Sequence, residues 1–353
     1  MTYTCHEPVP ARTSAQAARV VLIGEPSSLR TAVAQQLQVG STLLACLDTP
    51  SGLISSGNSL AGAAVVFVTV PRPPGLAARL RHRYRDPAQA AGFEQGVIAA
   101  WHRGAVRVVV LSTAFRYDDD LGLALDPGSP TLEAAETASA AAAEQAAALF
   151  TSLGGDSVVL RLGWTCGPEE AITRRVLAAA RRGWRLIDAD PGAWVALIAE
   201  PDAARAVQPA LTVSPGIYNV TDGFPVTQGL LNAGLEADLG RPLHSLDELG
   251  WGADGILFGP SRKIADRTFG DLTGWRPQAV PCREPGRPEL PAVVAGRARS
   301  TSGTRDSTCS IRAVSRPATS RPMGTGRSWR RAAEGSRRLP GCGRAGHQAR
   351  PAG

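Results

Sequence analysis

A turn rich in polar side chains follows the first apolar run of the chain. It holds Gly24, two consecutive serines, Ser27 and Ser28, and the cation of Arg30. Serine hydroxyls at the start of a helix can donate hydrogen bonds to a phosphate, and an arginine can pair with the same anion. In the alternative interpretation, Ser27 or Ser28 caps the helix by accepting a backbone N–H. The turn is therefore a candidate anion site, with helix capping as the alternative.

A second group of reactive side chains lies near the middle of the chain. The hydroxyls of Ser112 and Thr113 end an apolar run, and Glu136 lies four residues before Ala140 in an alanine-rich segment. Residues four apart share one face of a helix. On that face Glu136 offers a carboxylate that can act as a base, whereas Ala140 has no group that transfers a proton. Alternatively, Glu136 is an acidic residue that the helix dipole favours in an early turn.

Apolar runs that alternate with helical segments predict the elements that position these side chains. Unbroken aliphatic runs indicate strands buried on both faces, and helices between them require parallel pairing. The predicted strands are residues 19–24, 43–47, 64–70, 108–111, 158–162 and 216–220. The predicted helices are residues 28–37, 88–103, 129–153, 169–182 and 226–239. This order predicts an α/β fold, a Rossmann-type doubly wound parallel sheet with a small C-terminal lobe.

Shorter elements are predicted with weaker patterns. A shrunken third strand is expected around Leu53 and Ile54. Residues 184–187 and 193–198 are predicted as short strands, or as a hairpin around residues 190–192, because Asp, Pro and Gly favour a turn there. Residues 71–86 are expected to form a basic loop or a short helix.

The segment that carries Thr113 and Glu136 resembles the catalytic half of the extended short-chain dehydrogenases, the NAD-dependent epimerase/dehydratase family. In that family a Ser/Thr pair ends a strand, and the next helix carries Tyr-x-x-x-Lys. Thr113 stands at the position of the catalytic Ser/Thr, and Ser-Ala-Ala-Ala-Ala-Glu-Gln at 139–145 is similar to the family's Ser-Lys-Ala-Ala-Ala-Glu-Gln. In this register Glu136 replaces the tyrosine that transfers a proton. Ala140 replaces the lysine whose charge lowers the pKa of that tyrosine. The resemblance therefore implies a degenerate member whose proton relay is lost.

The same resemblance implies a cofactor site. Of the family's Gly-x-x-Gly-x-x-Gly loop the chain keeps Gly24, whereas Ser27 and Arg30 replace the second and third glycines. An arginine at the close-packing position is expected to push the helix outward or to turn its side chain away. Asp48 stands where the family's acidic residue accepts ribose hydroxyls, which implies NAD rather than NADP. The other residues that the resemblance places at the cofactor are Thr69 and Ser112. We expect NAD or NADP to bind weakly, without a metal.

Further segments resemble the family in the same order up to residue 277, and they divide the chain. Residues 1–17 are expected to form a flexible arm, 18–168 the dinucleotide-binding domain, and 169–280 the rest of the fold with a substrate lobe. Residues 281–353 are rich in Arg, Gly, Pro, Ser and Ala and are expected to be a disordered tail. That tail either contacts nucleic acid or other anionic partners, or has no function, as in translation of a shifted frame.

Charge and composition exclude several classes of protein. From Arg283 onward fifteen arginines stand against four acidic residues, a balance of +11 that exceeds the chain's +7 and leaves −4 for residues 1–282. The folded part thus shows no sign of a nucleic-acid surface.

The six cysteines form no C-x-x-C pair and the five histidines are scattered, so no metal site is expected. With neither a signal peptide nor a membrane span in the sequence, we expect a cytoplasmic protein.

Three functions remain open on these grounds. The first is a catalytically impaired epimerase/dehydratase-like protein that still binds a nucleotide. The second is an active NAD-dependent oxidoreductase or epimerase on a nucleotide sugar or similar carbonyl compound, with Glu136 or Tyr117 as substitute acid or base. The third is a non-enzymatic binding or scaffold protein. Nucleotides or sugar nucleotides are the expected small-molecule partners, and a homodimer is compatible with the resemblance.

Overall fold

The computed structural model describes residues 18–55, 59–71, 87–119, 122–187, 190–245, 258–264 and 267–279. In chain order its strands are β1 (Ala18–Ile23), β2 (Ser41–Leu47), β3 (Ala64–Val68), β4 (Arg107–Thr113), β5 (Asp156–Leu162), β6 (Trp164–Cys166), β7 (Trp184–Arg185), β8 (Trp194–Val195), β9 (Leu197–Ala199), β10 (Gly216–Val220), β11 (Val226–Thr227) and β12 (His244–Ser245). Its α-helices are α1 (Ser28–Gly40), α2 (Gly52–Ser55), α3 (Pro87–His102), α4 (Ala138–Ser152), α5 (Ala171–Arg181), α6 (Glu200–Arg205), α7 (Val207–Ala210), α8 (Gln228–Leu239) and α9 (Thr268–Thr273).

Six of these strands form one sheet in the order β10-β5-β4-β3-β1-β2, and every neighbouring pair runs parallel. The chain first moves from β1 outward to β2 and then returns to the other side of β1 at β3. This reversal of direction makes the sheet doubly wound. The α/β, Rossmann-type prediction is therefore confirmed.

The inner strands β1, β3, β4 and β5 are buried on both faces, which explains their unbroken apolar runs, whereas the edge strand β2 is partly exposed. In β3, Val66 and Val68 enter a core that they share with α1, α6 and α7. The alternate residues of the same strand, Val65 and Phe67, enter a second core with α3 and α4. Because successive side chains of a strand point to opposite faces, helices must cover both sides of the sheet.

A smaller lobe is built from β6 to β9, β11, β12 and the helices α5 and α8. Its core contains Ile172 of α5, Leu231 of α8 and Phe258. The ring of Phe258 meets the edges of Phe115 and Trp164 at centroid distances of 5.5 and 5.2 Å. These aromatic contacts fix the lobe to the segments that follow β4 and β5.

A short helix stands where a shrunken third strand was predicted. The N–H groups of Leu53 and Ile54 donate to the carbonyls of Pro50 and Ser51 at 3.0 Å, which closes one turn of helix. Leu53 is fully buried in the core with α3, whereas Ile54 is exposed. The strand prediction was wrong because two apolar residues in succession do not distinguish a strand from one helical turn.

The helix predicted from residues 129–130 begins later, at Ala138. The Asp126 carboxylate accepts a hydrogen bond from the N–H of Gly128 at 2.8 Å and holds this segment in a turn. A 3₁₀ turn at Ala135–Thr137 then leads into α4. Ser129 belongs to the same turn, since its Oγ accepts a hydrogen bond from the N–H of Asp126 at 3.0 Å, so it does not cap a helix.

Of the two alternatives for residues 184–187 and 193–198, the short strands form, as β7, β8 and β9, and the hairpin around residues 190–192 does not. Instead β7 pairs in parallel with β12, and β8 pairs antiparallel with β11. Both partners lie further along the chain, so local sequence pattern could not reveal them. The predictions for residues 1–17, 72–86 and 281–353 fall outside the residues that the structure describes.

Candidate functional site

A cleft of about 660 Å³ opens at the carboxyl ends of β1, β2 and β3. Ligands of doubly wound sheets bind where the strand order reverses, which here is between β1 and β3. Four residues that the sequence predicted for the site line this cleft: Gly24, Asp48, Thr69 and Glu136. Its volume lies in the usual range for small-molecule sites, about 300–1,000 Å³. The cleft is therefore the candidate dinucleotide site.

Gly24 lies where the end of β1 meets the end of β3. A Cβ added at Gly24 would lie 2.6 Å from the carbonyl oxygen of Val68. The N–H of Gly24 also donates to the carbonyl of Leu47 at 3.0 Å, so neighbouring strands hold this position from both sides. A glycine is required here because the backbones approach too closely for any side chain.

We expect Gly24→Ala to lower the free energy of unfolding by about 1–3 kcal/mol because the new methyl overpacks the β1–β3 contact. Chemical denaturation measures this change. Gly92→Ala in α3 is the matched control, since an added Cβ there meets no atom within 4 Å. The control is expected to be neutral or stabilising because alanine favours helix. Equal stability of the two variants would contradict the close-packing role of Gly24.

The two serines of the turn have different partners. Ser27 is the N-cap of α1, and its Oγ accepts a hydrogen bond from the N–H of Arg30 at 3.1 Å. Ser28 Oγ donates to the Glu200 carboxylate at 2.6 Å. Burial raises the pKa of Glu200. The structure thus shows the capping arrangement for Ser27, and it places an acidic side chain from the start of α6 at the N-terminus of α1.

Arg30, at the third-glycine position, directs its side chain to the end of β2. Its Nη1 lies 2.7 Å from Asp48 Oδ1, and its Nη2 lies 3.0 Å from Cys46 Sγ. Asp48 therefore ends β2 beside the cleft with a guanidinium already paired to it. The side chain of Asp48 remains 67% exposed, so its second oxygen faces solvent. The residue that departs from the pattern, Arg30, is thus paired with the acidic residue that the pattern expects, Asp48.

Ser112 and Thr113 end β4, but neither lines the cleft. Thr113 Oγ1 accepts a hydrogen bond from the N–H of Phe115 at 3.2 Å and caps a 3₁₀ turn. Ser112 Oγ donates to the Glu144 carboxylate. The space that both hydroxyls line measures about 10 Å³, room for a single water molecule.

Of the two positions where the family has tyrosine and lysine, only the first, Glu136, lines the cleft. Glu136 is buried at the wall of the cleft, together with Ser139. Ala140, at the lysine position, is buried as well. Glu136 has no phenol and Ala140 has no amine. This part of the chain therefore lacks both the expected proton-transferring group and the cation that would lower its pKa.

Neither Tyr117 nor Lys263 lines the cleft. Tyr117, one of the two candidate substitutes, is fully buried, and its hydroxyl donates to Asn219 Oδ1 at 2.7 Å. Burial also raises the pKa of Tyr117. The one lysine of the sequence, Lys263, holds its Nζ over the ring of Trp194 at 4.9 Å. Tyr117 therefore acts in packing rather than at the cleft.

A buried charge cluster beside Ser112 escaped the sequence analysis. The Glu144 carboxylate pairs with Arg161 Nη2 at 2.9 Å and with Arg116, and it accepts the hydrogen bond of Ser112. The guanidinium of Arg161 also lies over the ring of Tyr117, 4.8 Å from its centroid. The available signal was a charged residue at a buried position of a strand and another in an alanine-rich helix.

A third buried arginine, Arg262, joins the end of β4 to the lobe. Arg262 donates through Nε to the carbonyl of Tyr117 at 2.9 Å and through Nη2 to that of Phe115 at 3.1 Å. Burial lowers the pKa of Arg262 to about 10. The space beside Arg262, Trp164 and Trp194 measures only about 10 Å³.

Grouped metal ligands and membrane-spanning helices are two features that the described parts of the chain do not contain. No three His, Cys, Asp or Glu side chains are grouped there to hold a metal ion. No helix in the same parts is long and apolar enough to cross a bilayer.

Comparison with known proteins identifies the fold. No protein-family model matches the sequence, and no curated protein matches it. UDP-glucose 4-epimerase of Thermus thermophilus, solved with NAD, aligns with a TM-score of 0.60 and 16% identity over 78% of this chain and 97% of its own. The enzyme WbmG of Bordetella bronchiseptica, solved with NAD and UDP, aligns with a TM-score of 0.59 and 17% identity over 80% and 94%.

A third solved structure, the dTDP-glucose 4,6-dehydratase DesIV of Streptomyces venezuelae, gives a TM-score of 0.59 and 17% identity over 78% of this chain and 95% of its own. The alignments span nearly the whole length of these enzymes. The chain therefore has the fold of NAD-dependent epimerases and dehydratases, as the resemblance predicted.

Proposed function

We propose that this chain binds NAD(H) in the cleft between β1 and β3 and is impaired in hydride transfer. Its fold is that of nucleotide-sugar epimerases and dehydratases, several of which were solved with NAD. One observation carries the proposal: Glu136 lines the cleft where a tyrosine is expected, and the buried Ala140 follows four residues later. A retained cleft beside a lost proton relay favours nucleotide binding over turnover.

The residues at the cleft fit the adenosine end of a dinucleotide. Gly24 keeps the backbone of β1 close to β3, and the exposed oxygen of Asp48 can accept a ribose hydroxyl. Thr69 Oγ1 donates a hydrogen bond to the carbonyl of Leu111 at 2.7 Å. Because this bond uses its only proton, the Thr69 hydroxyl forms part of the cleft wall and has no proton left to donate to a ligand. With Arg30 and Ser27 in place of two glycines, we expect weaker binding than an intact loop gives.

Hydride transfer to or from a carbonyl also requires a group that moves a proton. When bound, the nicotinamide supplies the hydride donor or acceptor. Glu136 carries a carboxylate in place of the phenol. Ala140 carries a methyl group in place of the amine that would lower the pKa of that phenol. A well-placed acid or base accelerates such steps by about 10²–10⁴-fold, or about 3–5 kcal/mol of barrier. Loss of the relay is expected to remove this contribution.

The second candidate is an active enzyme in which Glu136 itself transfers the proton. Its buried position in the cleft wall favours this alternative. Glu136→Gln separates the two proposals because glutamine keeps the shape and removes the titrating group. If unmodified protein reduces or epimerises a substrate and Glu136→Gln abolishes that turnover, the active-enzyme alternative is correct.

We also propose nucleotide sugars as the substrate or ligand class, since WbmG was solved with UDP and the other two enzymes are named for UDP-glucose and dTDP-glucose. The space that Thr113 lines holds about 10 Å³, so a sugar ring must open it before it can reach that hydroxyl. This restriction is a second reason to expect little turnover. The non-enzymatic scaffold remains the alternative if no dinucleotide binds.

Calorimetric titration of NADH and NADPH into the unmodified protein tests the binding proposal. We expect one NADH per chain and weaker binding of NADPH, because the Asp48 carboxylate repels a 2′-phosphate. Absence of binding by either dinucleotide would contradict the proposal and support the scaffold alternative.

Asp48→Asn is expected to raise the affinity for NADPH relative to NADH by about tenfold or more, since it removes the repulsive charge and releases Arg30 to pair with the 2′-phosphate. The same titrations measure the ratio. Stability should change by less than about 1 kcal/mol because exposed ion pairs contribute little. Arg30→Gln is the matched control, which keeps the carboxylate and should not improve NADPH binding. An unchanged ratio in Asp48→Asn would place the ribose elsewhere.

A further inference from the structure

A carboxylate from another part of the fold lies at the N-terminus of α1. Ser28 is the first residue of that helix, and its Oγ donates a hydrogen bond to Glu200 Oε2 at 2.6 Å. Glu200 is the first residue of α6, which packs along α1. On its other side the carboxylate adjoins Gly167, where an added Cβ would lie 3.1 Å from Glu200 Oε2. The structure thus holds the Glu200 carboxylate between α1 and the segment that follows β6.

The N-terminus of α1 lies on the path that a dinucleotide must follow. Its adenosine end is expected in the cleft beside Asp48, and its nicotinamide end is expected near Thr113, which lines the space of about 10 Å³. Thr69 lines both the cleft and this smaller space, so the two meet there. Leu29, the second residue of α1, also lines the smaller space. The pyrophosphate that joins the two halves of the cofactor must therefore pass the N-terminus of α1, its usual position in dinucleotide-binding folds.

The charges near this helix end oppose a second anion. The partial positive charge of the N-terminus attracts the Glu200 carboxylate as it would attract a phosphate. Burial, together with repulsion by Glu170 and Glu169 before α5, raises the pKa of the Glu200 carboxyl, against the hydrogen bond from Ser28. Glu170 is held in place because its carboxylate accepts the N–H of Ile172 at 2.9 Å and caps α5. A pyrophosphate at the same helix end would therefore meet negative charge rather than an open donor site.

We propose that Glu200 is an internal competitor of the pyrophosphate, whose carboxylate lowers the affinity of the α1 N-terminus for a dinucleotide. This inference rests on the proposed binding of NAD(H) and names a residue that limits it. Before a pyrophosphate binds, the carboxylate must leave Ser28 or accept a proton, and either change costs free energy. Displacement also frees the Ser28 hydroxyl to donate to a phosphate oxygen. Adenosine carries no phosphate, so its binding beside Asp48 is independent of Glu200.

Calorimetric titration of the full chain with ADP-ribose and with adenosine tests this role. Glu200→Gln keeps the length of the side chain and an oxygen that can accept the hydrogen bond of Ser28, but it removes the charge. We expect this variant to bind ADP-ribose about tenfold more tightly than the unmodified protein does, because one repulsive charge near the phosphates is lost. Its affinity for adenosine should stay within about twofold, which also shows that the variant is folded.

Glu169→Gln is the matched control for this substitution. It removes an exposed carboxylate from the same neighbourhood and leaves the contact between Glu200 and Ser28 intact. Because exposed charges are screened by salt, this variant should change the affinity for ADP-ribose by no more than about twofold. The comparison separates the bonded carboxylate at the helix end from the general charge of the region.

The unmodified protein gives a second measurement that needs no substitution. Its affinity for ADP-ribose should rise as the pH is lowered from about 8 to about 5, since protonation of Glu200, whose pKa is raised, removes the competing charge. Both phosphates of ADP-ribose stay ionised over this range. Glu200→Gln should show a smaller rise, and an affinity of the unmodified protein that does not depend on pH would contradict the proposal.

The titrations distinguish a failure of this inference from a failure of the dinucleotide site. The inference is overturned if Glu200→Gln binds ADP-ribose no more tightly than the unmodified protein does, if adenosine binding tightens equally, or if Glu169→Gln has the same effect. If neither ligand binds the unmodified protein or Glu200→Gln, the proposed dinucleotide site is wrong and this inference falls with it. Binding of ADP-ribose by Glu200→Gln alone would support the competitor role.

Discussion

Glu144→Gln is expected to lower the free energy of unfolding by about 3–5 kcal/mol, the cost of leaving buried charges without their counter-ion. Glu144 is the shared partner of Arg116 and Arg161, and all three residues are buried. Glutamine keeps the volume and can still bond to Ser112, but it offers no charge to two guanidinium groups. Because this cluster joins α4 to β4 and β5, its loss should weaken the sheet that supports the cleft.

Asp156→Asn is the matched control for this prediction. It also removes one carboxylate from an arginine, Arg107, at 3.1 Å, but the Asp156 side chain is 55% exposed. Exposed ion pairs contribute about 0–1 kcal/mol to stability, so the free energy of unfolding of this variant should be close to that of the unmodified protein. Chemical denaturation followed by circular dichroism measures both. If Glu144→Gln loses no more stability than Asp156→Asn, the cluster is not the structural support described here.

Restoring the relay with the double substitution Glu136→Tyr and Ala140→Lys is expected to raise the rate of cofactor reduction by at least about 100-fold. Glu136 lies in the 3₁₀ turn that leads into α4, and Ala140 lies in the first turn of α4, so the introduced phenol and amine come from consecutive turns of the chain. The positive charge should lower the pKa of that phenol below its ordinary value of about 10. The rate should therefore rise with pH through a pKa below that value.

The restored protein must be tested with a nucleotide sugar that calorimetry shows to bind, because the space beside Thr113 is small. Glu136→Tyr alone is the control, since a phenol without the cation stays protonated at neutral pH and transfers a proton poorly. A double variant that folds, binds cofactor and substrate, and still reacts no faster than this control would show that another defect limits turnover.

The sheet could be predicted from sequence because its strands have a simple physical requirement. Both faces of a parallel strand are covered, so runs such as residues 108–111 are apolar without alternation. The helix α2 could not be predicted in the same way, because Leu53 and Ile54 satisfy one helical turn as well as a strand. The pairing of β7 with β12 depends on residues some sixty positions apart, which no local pattern encodes.

Sequence placed only some of the predicted site residues at the cleft, because Ser27, Ser112 and Thr113 do not line it. Gly24, Asp48, Thr69 and Glu136 were predicted from motif register, and the structure brings all four to one cleft. The Arg30–Asp48 pair was missed because it joins α1 to the end of β2 across space, although Arg30 was recognised as a departure and Asp48 as the expected acidic residue. Register assigns a residue to a position, whereas its partner depends on how neighbouring elements pack.

The account depends most directly on whether bound cofactor is reduced in the unmodified protein. NAD⁺ and a nucleotide sugar are mixed with the protein, and the near-ultraviolet absorbance of the reduced nicotinamide is followed, with Thr113→Ala measured alongside. We expect NAD⁺ to bind without reduction, and the two proteins to give the same flat trace. Multiple turnovers by the unmodified protein that disappear in Thr113→Ala would contradict the claim that this cleft binds a dinucleotide but has lost its proton relay.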